Sequence, residues 1–365
     1  MSTGVTSGAA MDLSQVPATM PPPGIMPNFS NPDNYKHQNI ILHSVVLAIT
    51  TVAVLVRLYT RAVIKRNIGV DDWLAILSWA LALEFSIVMA YATVWGFGMH
   101  TYDIRVSEIL NTLKWLTVSQ KSYFPLILSI KLCILIGYLR IFKIDRVTRW
   151  GIWFGVFACT VFYFVTFLID ILRCKPVEAA WNPSIKGKCI SYAAFPWATG
   201  IFNMISDFYI LALPLPPILK MNMRLARRLR IASIFGLGLF TCVASIMRFV
   251  VSRQYALNPD QTYVAAKVLH WTVLEINISL ICACATGFPA FFDATAPRSL
   301  GSLVGSLLAK RSGSQLNVTS SPGSDKDCEE SYRSSEERVQ GRSKNRWKFL
   351  SRPSKNSLNN QIRET

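Results

Sequence analysis

Seven stretches of apolar residues, separated by short polar or basic connections, organise most of the chain. They run approximately over 40–59, 72–95, 118–141, 150–172, 193–219, 231–251 and 264–288. A helix crosses a hydrocarbon core of about 30 Å with about 20 residues, and each stretch reaches that length. Backbone N–H and C=O groups find no water in such a core, so helices that bond them internally are the expected elements. The pattern predicts an all-α, polytopic membrane protein, a bundle of seven transmembrane helices. Lys114, Lys121 and Pro125 interrupt the outer half of the third stretch, which places its start near 118.

The flanks differ in kind. Residues 1–39 are rich in Pro, Gly, Ser and Thr and lack a basic start followed by an apolar run, so no cleavable signal peptide is expected there. They read as a disordered extracytosolic tail, 40–290 as the helical bundle, and 291–365 as a disordered, basic, Ser-rich cytosolic tail. In that last tail, Arg342, Lys344, Arg346, Lys348, Arg352 and Lys355 surround Trp347, Phe349 and Leu350. Such a stretch is either a solvated charged tail or a segment lying on an anionic membrane face, at about 1 kcal/mol per basic residue. Phosphorylation of the nearby serines would weaken the second arrangement.

Composition and charge sharpen the topology. Charged residues make up 16% of the chain against 51% hydrophobic, where soluble domains carry about 25% charged. Mean hydropathy is +0.32. The net charge of +17 does not point to nucleic acid, because the basic residues sit between the apolar stretches. One side carries Arg57, Arg61, Lys65 and Arg66, then Arg140, Lys143, Arg146 and Arg149, then Lys220, Arg224, Arg227, Arg228 and Arg230. The other carries Lys36, Arg105, Lys114, Lys121, Arg173, Lys175, Lys186, Lys188 and Arg253, spread over longer segments. Cytosolic loops are enriched in Lys and Arg. The N-terminus is therefore expected outside and the C-terminus in the cytosol. Asn28-Phe29-Ser30, a glycosylation sequon, fits that side.

An ordered set of short motifs accompanies the stretches. Gly69-Val70-Asp71-Asp72-Trp73 opens the second, and Gly96-Phe97-Gly98-Met99-His100 follows it. Lys131 precedes Tyr138-Leu139-Arg140-Ile141-Phe142; Cys174-Lys175-Pro176, Trp181 and Cys189 mark the next outer loop. Asn203, Asp207 and Leu213-Pro214-Leu215-Pro216 lie in the fifth stretch, Ser245 and Arg248 in the sixth, and Trp271-Thr272, Glu275 and Pro289 in or after the seventh. The set resembles the fungal rhodopsin-like integral membrane family, which is sometimes named for a satratoxin-cluster member, and covers roughly 40–289. The resemblance implies the seven-helix fold. It also implies one of two settings: receptor-like proteins, some with an extracellular eight-cysteine domain, or products of secondary-metabolite clusters. Residues 1–39 contain no Cys, so that domain is not expected in them.

Retinal proteins carry the chromophore on a lysine in the middle of the last helix. This chain has Glu275 there, and Lys267 lies near the outer end. No retinal and no other cofactor is expected. His37, His43, His100 and His270 show no metal-ligand spacing, so no metal is expected either. Gly236-Leu237-Gly238 lies in an apolar stretch and reads as close helix packing rather than a phosphate loop. Asp71 and Asp72 suit the positive end of the second helix and face Arg57, Arg61, Lys65 and Arg66. Of the eight cysteines, Cys133, Cys159, Cys242, Cys282 and Cys284 fall in apolar stretches and Cys328 in the tail. Cys174 and Cys189 share a polar outer loop on the oxidising side, where a disulfide is expected.

Ionisable groups in a bilayer core cost about 2.5 to 3.5 kcal/mol each on insertion scales, so they face partners inside the bundle. Glu84, Lys131, Asp207 and Glu275 lie at similar depth in their helices. Asn203 precedes Asp207 by four residues and Trp271 precedes Glu275 by four, so each pair shares a helix face. One reading is a ligand pocket of Lys131, Asn203, Asp207, Trp271 and Glu275, with Trp271 as an apolar wall and Lys131 paired to Asp207 or Glu275. Within it Glu84, Asp207 or Glu275 would be the candidate general acid. The other reading is an ion-pair network that fixes helix register. At the level of function these become two hypotheses. The first is a receptor-like protein that binds a small hydrophobic ligand in the bundle and engages a cytosolic signalling partner. The second is a membrane-embedded cyclase or isomerase acting on a lipophilic intermediate. A transporter ranks below both, because no inverted repeat or broken-helix pair is visible.

Overall fold

The computed structural model describes residues 16–30, 32–141, 146–182, 184–190, 195–216, 225–258, 260–288 and 291. The helices among them are α1 (Lys36–Tyr59), α2 (Val70–Val94), α3 (Val106–Ile141), α4 (Arg146–Leu172), α5 (Phe195–Ala212), α6 (Leu225–Leu257) and α7 (Gln261–Ala285). Six segments are long and apolar enough to cross a membrane: Lys36–Ile64, Val70–Val94, Val106–Arg140, Arg146–Leu172, Phe235–Gln254 and Thr262–Ala285. The chain is a multi-pass, helical membrane protein. Helix α5 is not among the six; its 18 residues include Asn203, Ser206 and Asp207, all buried, and these polar groups dilute its apolar character. Residues 1–15 and, apart from Phe291, the tail at 291–365 with its basic-aromatic stretch and Cys328 lie outside the described residues.

The distribution of apolar side chains suits lipid. Val45, Ile49, Val52 and Leu55 on α1, and Phe154, Phe157, Val161, Phe164 and Leu168 on α4, are all exposed. In water such faces would be penalised, whereas hydrocarbon solvates them at no cost. Inside, Ala53, Ala82, Phe85, Met89, Leu126, Ile130, Val273, Ile276 and Leu280 join α1, α2, α3 and α7 in one core. Leu135, Ile152 and Ile210 join α3, α4 and α5 in another. Helix α3 thus borders both. A Cβ on Gly200 would sit 2.8 Å from the Phe249 ring, so this glycine lets α5 and α6 approach. Of the Gly236-Leu237-Gly238 pair, only Gly238 meets another helix, with Leu211 at 2.6 Å from its would-be Cβ.

The start of the third helix differs from the reading of the sequence. Helix α3 starts at Val106, well before 118, and continues through Pro125 over 36 residues. Proline removes one backbone donor from the helix ladder, and packing against α2 and α4 carries the helix past that loss. At about 1.5 Å per residue α3 spans about 54 Å, so its first turns project beyond a core of about 30 Å. Lysines are at no disadvantage there: Lys121 lies over the Trp181 ring at 5.9 Å. In the N-terminal segment, the described residues from 16 onward bond to the α2–α3 loop. Ala18 N donates to Ile104 O at 2.9 Å, Val106 N to Val16 O at 3.1 Å, and Tyr35 N to Gly98 O at 3.2 Å. Asn28 N donates to Asp103 Oδ1 at 2.8 Å, and Arg105 lies over the Phe29 ring at 5.7 Å. Residues 16–35 follow the α2–α3 loop, and α1 begins already at Lys36.

Between α4 and α5, β1 (Cys174–Lys175) pairs antiparallel with β2 (Lys188–Cys189), with Cys174 directly opposite Cys189. These two cysteines are joined by a disulfide with a sequence separation of 15. Closing a loop of that length is worth about 3 kcal/mol in the chain-entropy model. We expect peptide mapping under non-reducing conditions to recover the Cys174–Cys189 link. A Cys174→Ser/Cys189→Ser variant should unfold in lipid nanodiscs with a stability lower by about 2–4 kcal/mol. An unchanged unfolding temperature would remove this contribution.

Candidate functional site

Of the four ionisable residues picked out by depth, Lys131 on α3, Asp207 on α5 and Glu275 on α7 are brought together, while Glu84 on α2 bonds elsewhere. Lys131 Nζ is ion-paired with Asp207 Oδ1. It also donates to Ser206 Oγ at 2.7 Å and to Asn203 O at 3.3 Å. Asp207 Oδ2 accepts from Ser245 Oγ and from Asn203 Nδ2 at 3.2 Å. Asn203 Nδ2 also donates to Glu275 Oε1 at 2.6 Å, while Asn203 Oδ1 accepts from Tyr163 OH at 2.8 Å. Glu275 Oε2 is ion-paired with Arg248 Nε at 2.7 Å. Arg248 in turn lies over the Tyr123 ring at 5.4 Å.

The result is two ion pairs bridged by one amide. Lys131–Asp207 and Glu275–Arg248 share Asn203, and the network ties α3, α4, α5, α6 and α7. Glu275 is 0% and Lys131 1% exposed. Each carboxylate has a cation and at least one neutral donor, which is what a low-dielectric interior demands of a buried charge. Lys131 chooses Asp207, the nearer of the two partners considered for it, and Glu275 takes Arg248.

Glu84, expected beside this network, makes its hydrogen bond elsewhere. Half-buried on α2, it accepts from Ser122 Oγ of α3 at 2.9 Å, and its Oε2 is buried without a hydrogen-bond partner. Trp271 is half-buried on α7, one turn before Glu275, and contributes no hydrogen bond to the network. Asn28 is exposed in the 16–35 segment, and its Oδ1 accepts from Ser30 Oγ at 3.1 Å. Among the described residues, no group of three or more His, Cys, Asp or Glu is placed to hold a metal ion.

A second ionic cluster joins α1, α2, α3 and α7. Arg57 donates to Asp71 Oδ2 at 2.6 Å, to Asp72 Oδ1 at 3.0 Å and to Ala283 O at 2.6 Å. Arg140 Nη1 donates to Asp71 Oδ1 at 2.8 Å and to Asp72 Oδ2 at 3.1 Å. Arg61 is more distant, at 3.7 Å from each carboxylate. Asp72 also accepts from Gly69 N at 3.0 Å, capping α2. A Cβ on Gly69 would sit 2.6 Å from Arg140 Nη1, so the guanidinium passes where only glycine leaves room. Just outside the membrane-spanning part, burial and then the charges of Arg61 and Arg140 lower the Lys65 ammonium below its ordinary pKa.

A profile of the fungal rhodopsin domain matches residues 56–293, more than half of the chain and both ionic clusters. The chain belongs to this family. Three curated relatives are similar over much of their length. "Fugralins biosynthesis cluster protein 2" of Gibberella zeae is 28% identical over 305 residues, 79% of this chain and 73% of that protein. "SAT4 family membrane protein" of Emericella nidulans is 31% identical over 211 residues, 57% of this chain and 53%, about half, of that protein. "Receptor GIN3" of Arthrobotrys oligospora is 25% identical over 285 residues, 77% of this chain and 68% of that protein.

Within this fungal rhodopsin-domain protein, several network members escaped the depth argument. Arg248 and Ser245 lie three residues apart on α6, which puts them on one face; an arginine inside an apolar stretch was the available signal. Tyr163 and Ser206 carried none, since hydroxyls are common in helices that satisfy them on their own backbone. Arg140 sits 69 residues from Asp71, and only the folded arrangement of α2 and α3 shows the pair.

Proposed function

We propose that this chain is a receptor-like protein that binds a small hydrophobic ligand within its bundle and passes the change to a cytosolic partner. One observation carries the reading: both buried carboxylates, Asp207 and Glu275, are committed to cations and joined through Asn203. A general acid needs a carboxyl group free to hold and give a proton, whereas an element that couples helices needs compensated charges whose pairing can shift. The names of the Gibberella and Arthrobotrys relatives support one setting each. The first favours the second reading, a membrane-embedded acid–base enzyme of a biosynthetic pathway with Asp207, Glu275 or Glu84 as the acid. Of these, Glu84 has the oxygen that no donor satisfies.

The deciding comparison uses a deletion strain complemented at matched expression with wild type, Asp207→Asn or Glu275→Gln. The receptor reading expects both variants to lose the transcript response to a lipophilic extract of spent medium while no pathway intermediate accumulates. Accumulation of a single intermediate, restored to product by wild type and not by a variant, would favour the enzyme.

We further propose seven crossings, with α5 as the fifth, over a bundle at 40–290. The N-terminus lies outside and carries a glycan on Asn28, and tails occupy 1–39 and 291–365. The support is the basic asymmetry of the connections and the position of Arg57, Arg61 and Arg140 at one end of the core. In sealed, cytosol-side-out vesicles, protease should remove an epitope placed after residue 300, and glycosidase added after detergent solubilisation, but not before it, should shift the mobility of wild type and leave that of Asn28→Gln unchanged. A protected C-terminal epitope would overturn the orientation.

A further inference from the structure

Helices α1 and α7 run side by side with a constant register. Thr50 Oγ1 donates to Asn277 Oδ1 at 2.9 Å, a separation of 227 residues. Arg57 reaches Ala283 O, a separation of 226. The same offset sets His43 level with His270 and Asn39 level with Ala266. The contacts agree: a Cβ on Gly98 would meet both Asn39 Nδ2, at 3.5 Å, and Ala266, at 3.7 Å.

At this level the packing leaves polar atoms without partners. Asn39 is 3% and His43 7% exposed. Both amide atoms of Asn39, both ring nitrogens of His43 and Nε2 of His270 are buried with no hydrogen-bond partner. The walls are apolar or aromatic. Phe85 of α2 lies 6.4 Å from the His43 ring and nearly parallel to it. Tyr35 meets the His270 ring edge-on at 5.5 Å. Buried polar atoms are costly when unpaired, and five of them gathered on two facing helices call for a partner that the helices do not supply. In the charged network described above, Asp207 and Glu275 each have a cation as partner.

We infer that Asn39, His43 and His270 form a binding site for the oxygen-bearing head of a small uncharged amphiphile, an alcohol, ketone or lactone. The site would take the apolar body of that molecule against Phe85 and Tyr35. Asn39 offers two donors and an acceptor, and each neutral imidazole offers one donor and one acceptor. That set matches a hydroxyl or carbonyl oxygen. A charged head is disfavoured, because among the described residues no Asp, Glu or Arg bonds these atoms, and Lys267, one turn from His270, lies over the Tyr263 ring at 5.0 Å. The inference rests on the ligand-binding reading above and gives the ligand a place, at α1 and α7, and a head-group chemistry.

The test is photolabelling of the full chain in lipid nanodiscs with an octanol that carries a diazirine in its chain, beside the matching diazirine octane. The octanol should label peptides containing residues 39–43 and 266–270, and excess plain octanol should compete. In Asn39→Leu/His43→Phe, size-matched changes that remove the polar atoms, labelling should fall at least about tenfold, as expected when two hydrogen bonds are lost. The octane should show no such preference. If that double variant does not reach the membrane, His270→Phe is read in the same way. Octanol label scattered over lipid-facing residues, label unchanged in the variant, equal labelling by octane, or displacement by zinc alone would each overturn the proposal. Label at 39–43 and 266–270 without any cellular response keeps this site and removes the receptor reading. Label around Asn203 and Glu275 instead does the reverse.

Discussion

Replacing Asp207 with alanine is expected to destabilise the protein by about 3–5 kcal/mol, the range seen when one member of a buried ion pair is removed. The loss comes from Lys131, which is 1% exposed and would be left without a counter-charge. The other donors to Asp207 have retreats: Ser245 Oγ also donates to Thr241 O at 3.1 Å, and Asn203 Nδ2 to Glu275 Oε1 at 2.6 Å. Adding Lys131→Met to Asp207→Ala should therefore recover most of the loss, because a matched apolar replacement of a buried pair is often close to neutral. Thermal unfolding in nanodiscs measures both. If the double variant is as unstable as the single one, the pair is not the source of the penalty.

The second large effect is expected at Arg57. This guanidinium is 1% exposed and holds Asp71, Asp72 and Ala283 O, so it ties α1 to α2 and α7. Arg57→Met should cost about 3–5 kcal/mol and lower the amount of protein in the membrane fraction, since Arg140 alone faces two buried carboxylates at close range. Arg61→Met, four residues on, should stay within about 1 kcal/mol of wild type. Its contacts are at 3.7 Å, and its Nε and Nη2 have no hydrogen-bond partner. Equal losses for the two arginines would contradict this division of roles.

Much of this architecture is legible in the chain because lipid imposes a simple rule. Apolar runs of helical length mark spans, and the six segments that meet the length and apolarity requirement fall on six of the stretches. The fifth is also visible as a stretch, but its helix carries Asn203, Ser206 and Asp207, so the polar network itself weakens the apolar signal. Counting depth was enough to bring Lys131, Asp207 and Glu275 into one neighbourhood. It could not say that Glu84 turns to Ser122, because depth gives height along a helix and not the face a side chain takes. Nor could it give Glu275 its partner, since Arg248 lies near the end of its stretch and reaches inward along its long side chain. The early start of α3 and the course of residues 16–35 depend on contacts far apart in sequence. Backbone bonds such as Ala18 N to Ile104 O leave no periodic trace in composition.

The receptor-like reading is tested most directly by feeding. Membranes carrying the wild-type protein are incubated with the lipophilic metabolites extracted from the deletion strain, and the mixture is followed by mass spectrometry. A receptor leaves every metabolite unchanged, and this is the result predicted from a network whose carboxylates are both paired. Time-dependent conversion of one metabolite to a product of the same mass or a cyclised form, absent with Glu275→Gln membranes at matched expression, would contradict it.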